Sequence, residues 1–446
     1  MKRLIKNGTI VNNGERFVGD ILIENDKIAA VGKVGQLSAI VVDEVIDAIG
    51  CIVMPGVIDC HVHFRSPGLT HKADFNSESC AAVAGGVTSV MDMPNVIPPT
   101  TTNKLLDERF AMAATESVVN YSFYIGATND NLQEILQIDP SRICGVKVFM
   151  GSSTGNMLVD KQTILEQLFK ESPCLIATHC ESEAILKENL KHFTDLYGDG
   201  LLPRHHPKIR SEEVCYASTA EAVELASKFG TRLHVLHLST AKELSLFEKK
   251  PRLEKRITAE TCINYLYFNY NDYDTYGYKI KCNPAVKYIY DQEKLISAVE
   301  NGLIDCISTD HAPHLRSEKF NDTYTKCASG VPMIQHSLLA MLELCRRGIF
   351  CYETIVDKMC HAPADLYQIA NRGYITEGYK ADIVIVNPNR PTIVNDSTIL
   401  YKCGWSPFEG QEFSSSITHT FVNGHLVYNN GVIDKSIKGE ELRFCR

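Results

Sequence analysis

Between about residues 52 and 368, short apolar runs of β type alternate with longer stretches of helical period, and no other feature narrows the fold as much. Eight runs qualify as strands: Ile52 to His61, Thr88 to Met93, Tyr121 to Ile125, Val146 to Met150, Cys174 to His179, Leu233 to His237, Ile257 to Glu260 and Asp305 to Asp310. Thr219 to Lys228 and Met333 to Arg346 carry apolar residues at helical spacing where covering helices belong. Strand–helix alternation of this kind builds a parallel sheet, and eight units close into a (β/α)8 TIM-like barrel, an α/β fold.

Both ends of the chain have a different texture. Leu4 to Val11, Gly19 to Glu24 and Lys27 to Gly32 read as short strands, the last two joined by a turn at Asn25-Asp26. The pattern returns after Gly373 with Ala381 to Val386 and Thr418 to Gly424. A small β-sandwich domain built from residues 1–51 plus 374–446 is therefore expected, with the barrel, 52–373, inserted between its halves.

Composition removes several function classes. A net charge of -9 and a pI near 5.9 do not supply the basic surface that phosphate binding needs, so no nucleic-acid partner is expected. No run approaches the roughly 18 apolar residues of a membrane span. Near the N-terminus, the turn signal Asn7-Gly8 precedes any apolar stretch long enough for a signal-peptide core. The 16 cysteines are scattered and include no Cys-x-x-Cys pair, which suits reduced thiols in a cytoplasmic protein.

Chemistry concentrates at strand ends. In Asp59-Cys60-His61-Val62-His63-Phe64-Arg65, His61 and His63 stand two apart and so can present two imidazoles to one metal. Lys147, His179, His237 and Asp310 lie at or near the C-terminal ends of later strands, which converge on one face of a closed barrel. His179 or His237 alone is equally well read as a packed core histidine. Neutral imidazoles with a carboxylate suit zinc, and a catalytic site leaves one position for water. A lysine ammonium has no lone pair, so Lys147 is neutral, modified, or an ion-pairing lysine.

Several of these stretches resemble the motifs of one family. Asp59 to Gly68, Met93-Pro94-Asn95, Gly145-Val146-Lys147, Thr178-His179-Cys180-Glu181, His237-Leu238-Ser239 and Thr309-Asp310-His311-Ala312-Pro313-His314 are similar, in order, to those of the cyclic amidohydrolases. That group includes dihydroorotases, allantoinases and dihydropyrimidinases. Gly378 to Asp382 resembles the family's return into its small β-domain, so the likeness covers nearly the whole chain.

The resemblance implies two Zn2+ ions. His61, His63 and Asp310 would hold one, His179 and His237 the second, and Lys147 would bridge them as a carbamate. Asp310 would also be the catalytic general base and then general acid. The implied reaction is the reversible interconversion of N-carbamoyl-L-aspartate and L-dihydroorotate in pyrimidine biosynthesis, a small-molecule chemistry. Arg65, Asn95 and His314 would hold the ring carboxylate, and Asn283 in Lys281-Cys282-Asn283-Pro284 would contact the ring. Ser66, and Asn283 to Lys287, depart from the usual pattern, while Gly151-Ser152-Ser153-Thr154-Gly155 is similar to allantoinase-like members. Allantoinase or dihydropyrimidinase-like hydrolysis is thus the alternative, and a catalytically inactive scaffold homologue is the alternative of another class. Relatives of this kind imply a homo-oligomer, a dimer or tetramer. Residues 316–329, rich in polar side chains, read either as a lid over the site or as a surface loop.

Overall fold

A computed structural model describes residues 1–151, 157–321 and 323–446. The central alternation forms one eight-stranded parallel sheet whose strands follow each other in chain order. They are Val57–Val62, Val87–Asp92, Asn120–Gly126, Gly145–Phe149, Ile176–His179, Leu233–Val235, Ile257–Cys262 and Cys306–Ser308. The sheet nearly closes: Val62 bridges His311 in parallel, and the His63 amide donates to the His311 carbonyl at 2.8 Å. Almost every strand residue is buried, which is why these runs read as continuously apolar rather than alternating. The covering helices include Glu212–Phe229 and Ser337–Arg346.

The expected strand Ile52 to His61 is divided. Ile52–Pro55 joins the sheet made by the termini, and only Val57–Val62 enters the barrel. Gly56 is the break, since a Cβ there would lie 2.1 Å from Thr88 Oγ1. No larger residue fits that approach between the two sheets.

The termini build a nine-stranded sheet that includes Lys2–Asn12, Glu15–Glu24, Lys27–Lys33, Ile383–Asn387 and Ser416–Val422. Its own core is mainly aliphatic, with Ile5, Ile10, Ile21, Val53 and Ile383 around the aromatic Phe421. The last residues leave this sheet and run under the barrel. Leu442 and Phe444 pack with Ile58, Tyr124 and Tyr367, and the Arg446 guanidinium caps the carbonyls of Ile143 and Cys144. Among the described residues, no helix is long and apolar enough to cross a membrane. All sixteen cysteines are free thiols.

His336 joins the barrel to the segment that follows the terminal-sheet strand Ile383–Asn387. Its ring is buried among Tyr401, Phe408 and Phe413, within 3.2 Å of the Tyr401 and Ser406 hydroxyls. Burial alone pushes its pKa down from 6.5 to about 3. The unfolded chain therefore takes up a proton near pH 6.5 that the folded chain refuses until about pH 3, so stability falls as pH drops through that window. At pH 5 this group should cost about 2 kcal/mol relative to pH 7. Urea unfolding at both pH values should show a loss of stability in the wild type that shrinks by about 2 kcal/mol in His336→Gln, other buried histidines such as His63 supplying the remainder; an unchanged difference would contradict this account.

Candidate metal centre

The mouth of the barrel gathers the side chains that the strand ends suggested. Nitrogens of His61 and His63 and an oxygen of Asp310 lie within 4.8 Å of one another. His61 Nε2 is 3.2 Å and His63 Nε2 is 3.0 Å from Asp310 Oδ1. His179 Nδ1 faces His237 Nε2 at 2.8 Å, and the ring of His237 stands 5.3 Å from that of His61. The first barrel strand has a register shift between Asp59 and Val62, the stretch that carries His61, and His63 follows its last residue. Three non-glycine residues here adopt left-handed backbone: Arg65 at φ 67°, His237 at φ 44° and Asp310 at φ 48°. Such conformations cost of order 1–3 kcal/mol each and persist where the surroundings impose them, commonly at functional sites.

Proton placement points to a cation. His61 gives its Nδ1 proton to Glu260 Oε1 at 2.6 Å, and His63 gives its own to Asn95 Oδ1 at 2.8 Å. Both Nε2 lone pairs then face a carboxylate oxygen, so three acceptors converge with no proton among them. His179 repeats the pattern, with Nε2 on Glu181 Oε2 at 3.1 Å and Nδ1 turned to His237. Outer partners that occupy one ring nitrogen and leave the other bare are the usual support of metal-ligating histidines. The donor set therefore fits zinc.

Electrostatics agree. Burial pushes His63 down to about 4 in spite of Asp310 beside it, which keeps the ring neutral at pH 7. Burial opposes ionisation of Asp310, but the imidazoles of His61, His63 and His237 around it hold its carboxyl well below the usual range. Lys147 is 1% exposed, and burial brings it down to about 8 against the pull of Asp310 and Glu260. Its ammonium stands 4.7 Å over the Phe149 ring.

The residues expected at the substrate fall in three settings. Arg65 donates from Nε to the Pro313 carbonyl at 3.2 Å, and its Nη2 lies 3.3 Å from His314 Nε2. Lys72 Nζ stands 3.2 Å from His314 Nδ1, so three basic side chains meet at the rim. Asn95 is held on His63 rather than in this basic group. The Asn283 side chain contacts His206, Oδ1 to Nε2 at 3.1 Å, and His206 in turn holds the Tyr324 hydroxyl at 2.7 Å. Tyr324 belongs to the 316–329 segment, whose Lys319 is fully buried and donates to the carbonyls of Lys281, Ala328 and Gly330. Asp322 of that segment and residues 152–156, which include most of the Gly151 to Gly155 stretch, lie outside the described residues.

The outer partners escaped the sequence reading. Glu260 lies near the end of the strand Ile257–Cys262 and Glu181 follows His179 by two within the Thr178 to Glu181 stretch, the same spacing that had singled out His63, yet neither was assigned a role. Arg210, which pairs with Glu181, and Lys72 come from loops with no periodic signal.

Eight parallel strands with imidazoles, a lysine and carboxylates at their C-terminal mouth define the class: a (β/α)8 hydrolase with a candidate metal centre. The chain belongs to the Amidohydrolase family, whose model matches residues 52–427. It is 33% identical to a dihydroorotase of Methanosarcina acetivorans over 98% of this chain and 94% of that protein. It is 30% identical to an allantoinase of Bacillus velezensis over 96% and 94%. Among solved structures, the L-hydantoinase (dihydropyrimidinase) of Arthrobacter aurescens superposes with a TM-score of 0.92 at 27% identity, covering 97% of both chains.

Proposed function

We infer that the chain is a zinc-dependent cyclic amidohydrolase, and that its substrate pair is L-dihydroorotate and N-carbamoyl-L-aspartate. The observation that carries the reading is the convergence of unprotonated nitrogens on Asp310 Oδ1, a few residues from the basic group of Arg65, Lys72 and His314. His61, His63 and Asp310 would hold one zinc ion, His179 and His237 a second, and carboxylated Lys147 would stand between them. When bound, such a pair supplies a nucleophile from water at neutral pH and polarises the amide carbonyl.

This chain's own side chains do the rest. With the neutral amine of Lys147 accessible near pH 8, attack on CO2 forms its carbamate and releases one proton. Asp310, ionised and facing Nε2 of His61 and of His63, would accept a proton as the amide carbon is attacked and return it to the departing ring nitrogen. Glu260, Glu181 and Asn95 fix the orientation of the imidazoles. Arg65 and His314 would clamp the ring carboxylate, the group that separates dihydroorotate from uncharged cyclic amides.

Turnover of dihydroorotate, allantoin and dihydrouracil by the purified protein tests the assignment. Dihydroorotate should be consumed fastest; hydrolysis of allantoin alone would replace it with the activity named for the Bacillus relative. A folded, zinc-free and inactive protein would favour a scaffold. For Arg65→Met, KM for dihydroorotate should rise about 10- to 100-fold, the worth of one charge-assisted hydrogen bond. Zinc content should stay unchanged, and equal loss of both would make Arg65 a structural residue.

A further inference from the structure

Below the mouth lies a second donor set, Cys60, His234, Glu260 and Cys306, all fully buried, of which only Glu260 has a role at the mouth, through His61. Cys60 and Cys306 come from the first and eighth barrel strands, which close the barrel, and their sulfurs are 4.0 Å apart. Cys60 Sγ stands 3.3 Å from Glu260 Oε2, which stands 3.3 Å from His234 Nε2, which stands 3.9 Å from Cys306 Sγ. All four donor atoms lie within 4.8 Å of one another.

These separations are those of a tetrahedron's edges. An edge is about 1.6 times the centre-to-corner length, so metal–sulfur bonds near 2.3 Å set the sulfurs about 3.8 Å apart. By the same rule, nitrogen and oxygen bonds near 2.0–2.1 Å set those atoms about 3.3 Å apart. The proton count points the same way. Thr258 Oγ1 donates to the Leu233 carbonyl at 3.2 Å and therefore accepts from His234 Nδ1 at 2.9 Å. With Nδ1 so occupied, Nε2 is the atom that faces Glu260 Oε2, and a cation there takes the place of the proton that His234, its pKa otherwise raised to about 10, would hold.

We propose that Cys60, His234, Glu260 and Cys306 form an inner, closed site for a thiophilic divalent cation, distinct from the centre at the mouth. Two thiolates and a carboxylate around a dication leave one net negative charge. The second oxygen of Glu260 meets it with donors, His61 Nδ1 at 2.6 Å and the His237 amide at 3.2 Å. The inner ion would hold one oxygen of Glu260 while the other orients His61. With no solvent exposure at any of the four residues, the ion enters as the chain folds and exchanges slowly.

The donors assigned at the mouth are nitrogen and oxygen, so sulfur spectroscopy reports on the inner site alone. Protein produced in cobalt-supplemented medium should show intense near-ultraviolet thiolate-to-cobalt absorption, and Cys306→Ser should lose it. The zinc-edge X-ray absorption of the unaltered, zinc-grown protein should contain sulfur neighbours at about 2.3 Å, which keeps the test open if the variant fails to fold. Cobalt protein without that band, a band that persists in Cys306→Ser, or a zinc shell without sulfur would each overturn the site. The first and the last of these outcomes would leave a proton shared by His234 and Glu260 in place of a metal, and the second would move the thiolate site elsewhere. Failure of the mouth centre would remove only the nitrogen- and oxygen-ligand signals.

Discussion

Asp310→Asn is expected to fold normally and to lose turnover of its cyclic amide by about 10³- to 10⁴-fold, near the upper end of what one general acid–base group contributes. The carboxylate is the point on which His61 and His63 both converge, and it is held ionised in a buried setting. An amide in its place keeps the shape but cannot accept the proton, and it offers a weaker oxygen to a cation. Metal content per chain should therefore fall as well. Rate measurements beside metal analysis and circular dichroism check this; near-normal turnover with full metal content would remove Asp310 from the chemistry.

The largest expected effect on stability lies beside the centre rather than in it. Asp92 and Arg109 form an ion pair with both side chains 1% exposed. The guanidinium also donates to the Met93 carbonyl at 3.1 Å and Thr100 Oγ1 at 3.2 Å, and stacks 4.4 Å over Phe123. Asp92 Oδ1 receives the Phe64 amide at 3.0 Å, which pins the turn that carries His63 and Arg65. Asp92→Ala leaves a buried cation without its partner, a loss of about 3–5 kcal/mol. Urea titration should show the shift, and the double variant Asp92→Ala/Arg109→Met should recover a large part of it, because no charge is then stranded. A double variant as unstable as the single one would place the effect in packing alone.

Much of the fold is legible in one dimension because its periods are strong. Strand runs buried on both faces, such as Gly145–Phe149 and Ile176–His179, are continuously apolar, and each ends in or contains a residue that does not belong in a core. Lys147 and His179 stand out for that reason. The division at Gly56 was not legible, because the apolar pattern runs straight through it and only the approach of Thr88 forces the break. The tail was equally hidden: Leu442 and Phe444 look like the end of a β-module until the barrel floor offers them a pocket.

The site follows the same division. His61, His63, Lys147, His179, His237 and Asp310 were visible because each is chemically unusual where it stands, and a closed barrel brings all its strand ends to one mouth. Glu260 on His61, Glu181 on His179, Lys72 beside His314 and the four-donor set beneath the mouth were decided by the tertiary structure alone. Linear order records which side chains a strand carries and toward which end. Which acceptor meets which proton depends on strand register, bulges and loop closure, and those are set only when the whole barrel packs.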